Sequence, residues 1–214
     1  MNKFAFALPL LAVLALGIAA PAAHAKDGWY AGLSAGLGVG SIKDSQVNQF
    51  AASAGVDPGT IDKDKNSFTF KAFVGYSMTA YLGFEGGLFD LGSRSFRVSD
   101  QNTGGALFGE SKTYGASLDV VGTLPLGNWR LLGRAGGYYG RSMLSFEGEG
   151  GAPTPPTTTY RNTRFNWKVG AGVGYDFASN VGFRVEWERY RVDLGTNHDS
   201  MYVDTFSGSV LYRF

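Results

Sequence analysis

Two short runs in this 214-residue chain carry side chains that could do covalent chemistry. Gly32-Leu33-Ser34-Ala35-Gly36 has the spacing of a nucleophile elbow, in which a strained strand-to-helix turn exposes a serine for attack on an ester or amide. His198-Asp199-Ser200 sets an imidazole two residues from a hydroxyl, the pairing by which a general base activates a serine. Neither is completed by its surroundings. Ser34 lies in a run that alternates residue by residue, so it belongs to a continuous strand and not to a turn. No Glu follows Ser200, and Asp204 is the sole downstream acid. One histidine does not make a metal cluster, so no catalytic, cofactor-binding or metal-binding residue is expected.

A second set of reactive groups is electrostatic. Lys71, Arg130, Arg134, Lys168 and Arg184 are matched by Glu85, Asp119, Asp176, Glu186 and Glu188, five of each sign, each isolated on the polar side of an alternating run rich in glycine. Unpaired charges in a narrow interior are costly to desolvate. Equal numbers permit a paired internal network, and the glycines leave room for long side chains. The expectation is an interior plugged by paired charges. Eight strands leave an interior that side chains nearly fill, so an open pore is not the default and a small or gated ion-conducting pore is the alternative.

The elements that would position these groups are strands. Trp29, Ala31, Leu33, Ala35, Leu37 and Val39 share one face, and Tyr30, Gly32, Ser34, Gly36, Gly38 and Gly40 the other. A strand separates two such sets, whereas a helix scatters them. The pattern recurs seven times: from Phe68 to Ser77, Tyr81 to Val98, Glu110 to Leu124, Trp129 to Tyr139, Phe165 to Phe177, Val181 to Glu188, and Phe206 to Phe214. Connections alternate in length. Ser77–Ala80, Pro125–Asn128 and Ala178–Asn180 are tight, while Ser41–Asn66 and the Pro- and Thr-rich Gly148–Arg161 are long and polar. All seven prolines (9, 21, 58, 125, 153, 155 and 156) fall outside the proposed strands, as a residue without a ladder donor should. The fold predicted is all-β: an eight-stranded antiparallel up-and-down transmembrane barrel.

Residues 1–25 stand apart. Lys3 precedes an apolar run from Phe4 to Ala20, and Ala23-His24-Ala25 fits the small-x-small cleavage pattern, so the run reads as a secretory signal peptide with Lys26 as the new N-terminus. Residues 26–214 then form one domain with 18 basic and 18 acidic residues, a balance that excludes the basic footprint of nucleic-acid binding. With no cysteine, an exported chain relies on backbone pairing and packing. Removal of the signal leaves no apolar run long enough for a spanning helix, but barrel strands alternate and so escape averaged hydropathy. Large aromatics mark both ends of the apolar faces: Trp29, Trp129, Phe177 and Phe214 at one edge, Phe68, Tyr114, Trp167 and Trp187 at the other. Paired interfacial belts of this kind favour a membrane barrel over a soluble one, which would turn its apolar face inward. An even strand number and an N-terminal signal put both termini in the periplasm.

The runs Trp29-Tyr30-Ala31-Gly32, Phe73-Val74-Gly75-Tyr76, Leu82-Gly83-Phe84-Glu85 and Phe183-Arg184-Val185-Glu186-Trp187-Glu188-Arg189-Tyr190 resemble the OmpA-like transmembrane domain across essentially the whole mature chain. The alternate residues Phe206, Val210, Tyr212 and Phe214 look like the C-terminal signal read by the barrel-assembly machinery. The resemblance implies an outer-membrane barrel whose partners are outer-membrane lipid, that machinery and ligands at the extracellular loops. Larger members continue into a periplasmic peptidoglycan-binding domain. This chain stops at Phe214, so wall tethering is not carried over. Outer-membrane lipid deacylases are also eight-stranded and use a His-x-Ser pair with a Glu, which makes a lipid-modifying enzyme the third reading after scaffold and pore.

Overall fold

Segments with one apolar and one polar face can hide their edges from lipid only by closing into a cylinder. They do so in the computed structural model, which describes residues 28–40, 58–63, 66–100, 105–150, 159–193 and 200–214. The strands are β1 (Gly28–Gly40), β2 (Pro58–Lys63), β3 (Asn66–Ser77), β4 (Leu82–Asp100), β5 (Ala106–Leu126), β6 (Trp129–Glu149), β7 (Thr159–Asp176), β8 (Val181–Asp193) and β9 (Ser200–Arg213). Every pairing is antiparallel, and β1 bonds to both β3 and β9, which shuts the ring. β2 is not a ninth stave. It pairs with the far part of β4, Lys63 facing Phe96, where β3 pairs with the near part, Phe70 facing Asp90. Together β2 and β3 serve as one stave of eight.

Facing residues followed once around the ring give the stagger. Trp129, Tyr175, Phe183, Val210, Leu33, Ala72, Leu88 and Ala116 lead back to β6 at Tyr139, ten residues beyond the start. That stagger tilts eight strands by about 40°. Ten residues then climb about 25 Å along the axis, the height of a transmembrane apolar band. The outer surface follows this measure. At the end with short connections, here the turn end, Trp29 packs on Tyr76 and Trp129 on Tyr175, with ring centroids 5.2 and 4.9 Å apart. At the loop end Phe68, Tyr139, Phe165, Trp167 and Tyr202 are exposed. Leu33, Val74, Leu88, Leu118, Leu131 and Val185 cover the band between. Trp187 lies within the band and not in the loop-end belt, four residues nearer the turn end than Arg191, which faces Tyr202.

Several strands are longer than the alternation suggested. β5 and β6 have 21 residues each, against about 9–11 needed to cross a bilayer. Their outer halves hold Ala106–Gly109 and Gly140–Glu149, whose glycines and serines blur the apolar period while the ladder continues unbroken. For the same reason Gly148 and Glu149 are strand, as are Thr159–Arg161 of the expected loop, and the loop Ser41–Asn66 contains β2. Pro125 is also strand and not turn: the hairpin closes at Leu126 opposite Trp129, leaving Gly127 (φ +67°) and Asn128 as its two loop residues. The proline is tolerated because the last bond toward β4 is Thr123 N–H to Tyr81 O, at 2.8 Å. Two residues on, the missing N–H would point past the end of that strand.

Alternation along β4 is broken by a bulge. The register slips between Asp90 and Ser93, and Gly92 has φ +72°. A Cβ there would sit 2.2 Å from the Phe68 carbonyl oxygen. Asp90 Oδ1 accepts from Gly92 N at 2.8 Å, which fixes the kink. Leu91 faces inward before it, and Arg94, Phe96 and Val98 face inward after it.

Candidate functional site in the barrel lumen

Up to the level of the loop-end belt, inward positions on the eight staves form four layers. At the turn end Asp176 accepts from Arg130 Nε at 2.7 Å and from Arg213 Nη2 at 2.8 Å. Above it, Tyr30, Phe73 and Leu211 form a small buried apolar cluster. Gly75 makes this possible, since a Cβ there would lie 2.1 Å from the Tyr30 ring.

The third layer holds the remaining eight charges, four cations and four carboxylates, all buried. Arg134 is its hub: Nη1 reaches Glu85 at 2.6 Å, Glu188 at 3.2 Å and Asp119 at 3.5 Å, and Nη2 bonds Glu186. Glu85 also takes Arg184 at 3.0 Å and Lys71 at 3.5 Å, and accepts from the Tyr30 hydroxyl at 3.3 Å. Lys71 bonds Glu188. Lys168 joins Asp119 at 2.7 Å to Glu188 at 3.0 Å, so the groups form one connected net. The cations are shared with rings: Arg184 lies 5.0 Å from the Tyr30 centroid and Lys168 5.1 Å from that of Tyr190. In a low-dielectric interior such a net is held only while nearly every member is matched.

The fourth layer caps the net toward the loop end. Phe89, Tyr138 and Tyr190 meet with centroids 5.1 to 5.5 Å apart, ringed by Leu91, Val192, Met201 and Val203. Both tyrosines keep a polar anchor: Tyr190 donates to Glu188 at 2.5 Å and Tyr138 to the Arg191 carbonyl at 2.6 Å. Between cap and net lies a cavity of about 10 Å³, lined in part by Ser34, Thr69, Lys71, Glu188, Tyr190 and Thr205. It has room for about one water.

All ten charges singled out from alternation point inward, eight into the net and Arg130 with Asp176 into the turn-end pair. Arg213 and the two tyrosines complete these groups. Their positions were readable from parity, but nothing local marks them as partners. Arg94 was not readable. Counting in twos from Phe84 puts it outward, and the bulge turns it in, where Nε and Nη2 have no hydrogen-bond partner. Ser34 is a buried lumen residue in mid-strand, facing Lys71 and Ser209. His198 and Asp199 lie outside the described residues, as do Ala23 and Ala25. Asp204 faces outward, held by Arg189 in two bonds of 2.8 Å and by the Trp187 indole at 3.0 Å. Among the described residues no group of His, Asp or Glu is arranged to hold a metal ion.

A closed eight-stave antiparallel cylinder, apolar and belted outside and charged within, is a transmembrane β-barrel. The chain belongs to the outer membrane protein beta-barrel domain family, whose pattern matches residues 8–214, and it is therefore an outer-membrane protein. Among solved structures, the attachment invasion locus protein Ail of Yersinia pestis is 16% identical, with 88% of this chain and 99% of that one covered and a TM-score of 0.47. Neisserial surface protein A gives 12%, 87%, 97% and 0.48. OprG of Pseudomonas aeruginosa gives 12%, 87%, 96% and 0.51. At these identities the likeness is one of fold. No curated protein matches the chain.

Proposed function

We propose that the protein is a closed-lumen barrel with a structural and surface-interaction role, carrying long strands and loops outside the cell while both termini stay in the periplasm. The observation that carries this reading is the matched four-against-four net beneath an aromatic cap, with a wall of β4–β7 rising past the loop-end belt. β6 runs ten residues beyond Tyr139, to Glu149. That wall, with the connections it supports, is the contact surface for partners. Residues 1–25 act as the export signal, cut after Ala25 in Ala23-His24-Ala25, and 26–214 form the barrel. Phe206, Val210 and Tyr212 on the outward side of β9, with Phe214 just past its end, act as the face taken up by the assembly machinery. The reading is non-catalytic: both oxygens of Asp204, the acid that would have to serve His198, are engaged by Arg189 and Trp187.

In planar bilayers the purified barrel is expected to give no current above baseline. Steady unitary steps would replace this reading with the small pore. Orientation is tested separately, since the chain has no cysteine of its own. A membrane-impermeant thiol reagent added to intact cells should label Glu149→Cys and leave Ser179→Cys untouched; the opposite result would invert the topology.

A further inference from the structure

The outer face of β6, β7, β8 and β9 changes character at the loop-end belt. Up to that level it is hydrocarbon-facing. Tyr139, Phe165, Trp167 and Tyr202 then form an exposed aromatic platform, each more than 40% accessible, with Trp167 and Tyr202 at 6.0 Å between centroids. Three arginines border it. Arg141 is the next outward residue beyond Tyr139 on β6, and Arg161 lies two outward positions beyond Phe165 on β7. Arg191 faces Tyr202 from β8. Arg141 faces Thr163 and Arg161 faces Met143, so these two guanidinium groups stand diagonally across the β6–β7 ladder, about 7–8 Å apart at the backbone.

None of the three has an ion-pair partner among the described residues, although carboxylates answer the neighbouring cations. Lys112 on β5 has Asp90 at 3.5 Å, and Arg189 has Asp204. Arg191 Nε is buried without a hydrogen-bond partner, and its own carbonyl is pinned by Tyr138. Like charges at diagonal positions repel one another, and Arg is the side chain that binds phosphate oxygens two at a time. Aromatic rings at this level lie along sugar rings and the first carbons of acyl chains.

We propose that this face binds the phosphorylated headgroup of a glycolipid in the outer leaflet, with Arg141, Arg161 and Arg191 on its phosphates and the aromatic platform beneath. The leaflet assignment rests on the loop end facing outward, as proposed above. The contact itself does not.

The test uses the full barrel in detergent micelles with lipid A bearing both phosphates, with phosphatase-treated lipid A, and with inorganic phosphate as competitor, read by native mass spectrometry. The phosphorylated lipid should be retained and the treated lipid lost. Inorganic phosphate should compete only weakly, because it lacks the acyl part. Arg141→Gln and Arg161→Gln should each reduce retention about fivefold, the factor that one basic side chain contributes near an anionic headgroup. Heat-modifiable gel mobility should be unchanged, since both side chains are exposed; Arg191→Gln adds the third arm. Equal retention of treated and untreated lipid, or undiminished retention by the single variants, would overturn the site. If retention fails while Glu149→Cys is labelled from outside, the lipid site is wrong and the topology stands.

Discussion

Arg134→Ala is expected to lower the unfolding free energy of the barrel by about 3–5 kcal/mol, the cost of leaving a buried charge without its partner. Arg134 contacts all four carboxylates of the net, and its side chain is 2% exposed. Its removal leaves three cations against four carboxylates, and nothing in the aromatic cap can replace the lost donors. The measurement is urea unfolding of the barrel in lipid vesicles, followed by tryptophan fluorescence. The double variant Arg134→Met with Glu186→Gln restores the balance at three against three and should recover more than half of the loss. A double-variant cycle completed by Arg134→Met and Glu186→Gln as single variants isolates that coupling, because the two residues are direct partners. A single variant within about 1 kcal/mol of the parent would mean that water, and not the neighbouring side chains, solvates this layer.

Gly92→Val should cost about 2–5 kcal/mol, combining strain at a positive φ with overpacking. The new Cβ would meet the Phe68 carbonyl oxygen at 2.2 Å, and a backbone atom cannot swing aside as a side chain can. Removing the bulge would return Arg94 and Phe96 to the outward face, toward the bilayer. Asp90→Asn is the control: it weakens one hydrogen bond to Gly92 N and removes an exposed ion pair with Lys112, and should cost no more than about 1.5 kcal/mol. The same unfolding experiment reads both variants. Parent-like stability for Gly92→Val would show that β4 can change register without penalty.

The sequence by itself determined which side of each strand faces lipid and which faces the lumen. Alternation with period two is a property of a single strand, needing no partner to be seen. Together with the aromatic belts, which tell a membrane barrel from a soluble one, it sufficed to send Lys71, Glu85, Asp119, Arg134, Lys168, Arg184, Glu186 and Glu188 inward, and to mark Trp29, Trp129 and Phe68 as belt residues. It failed where the period was interrupted or dissolved. Arg94 lies beyond a bulge that reverses parity, and the outer halves of β5 and β6 carry serine and glycine where apolar residues would have signalled strand. The tertiary structure alone decided which charges meet. Arg134 reaches Glu85 and Glu186 on other staves because a ten-residue stagger brings those positions to one level. Stagger is a property of the closed ring and is written in no single segment. The same closure gathered Tyr139, Phe165 and Tyr202 with Arg141, Arg161 and Arg191 on one face, although they come from four separate strands.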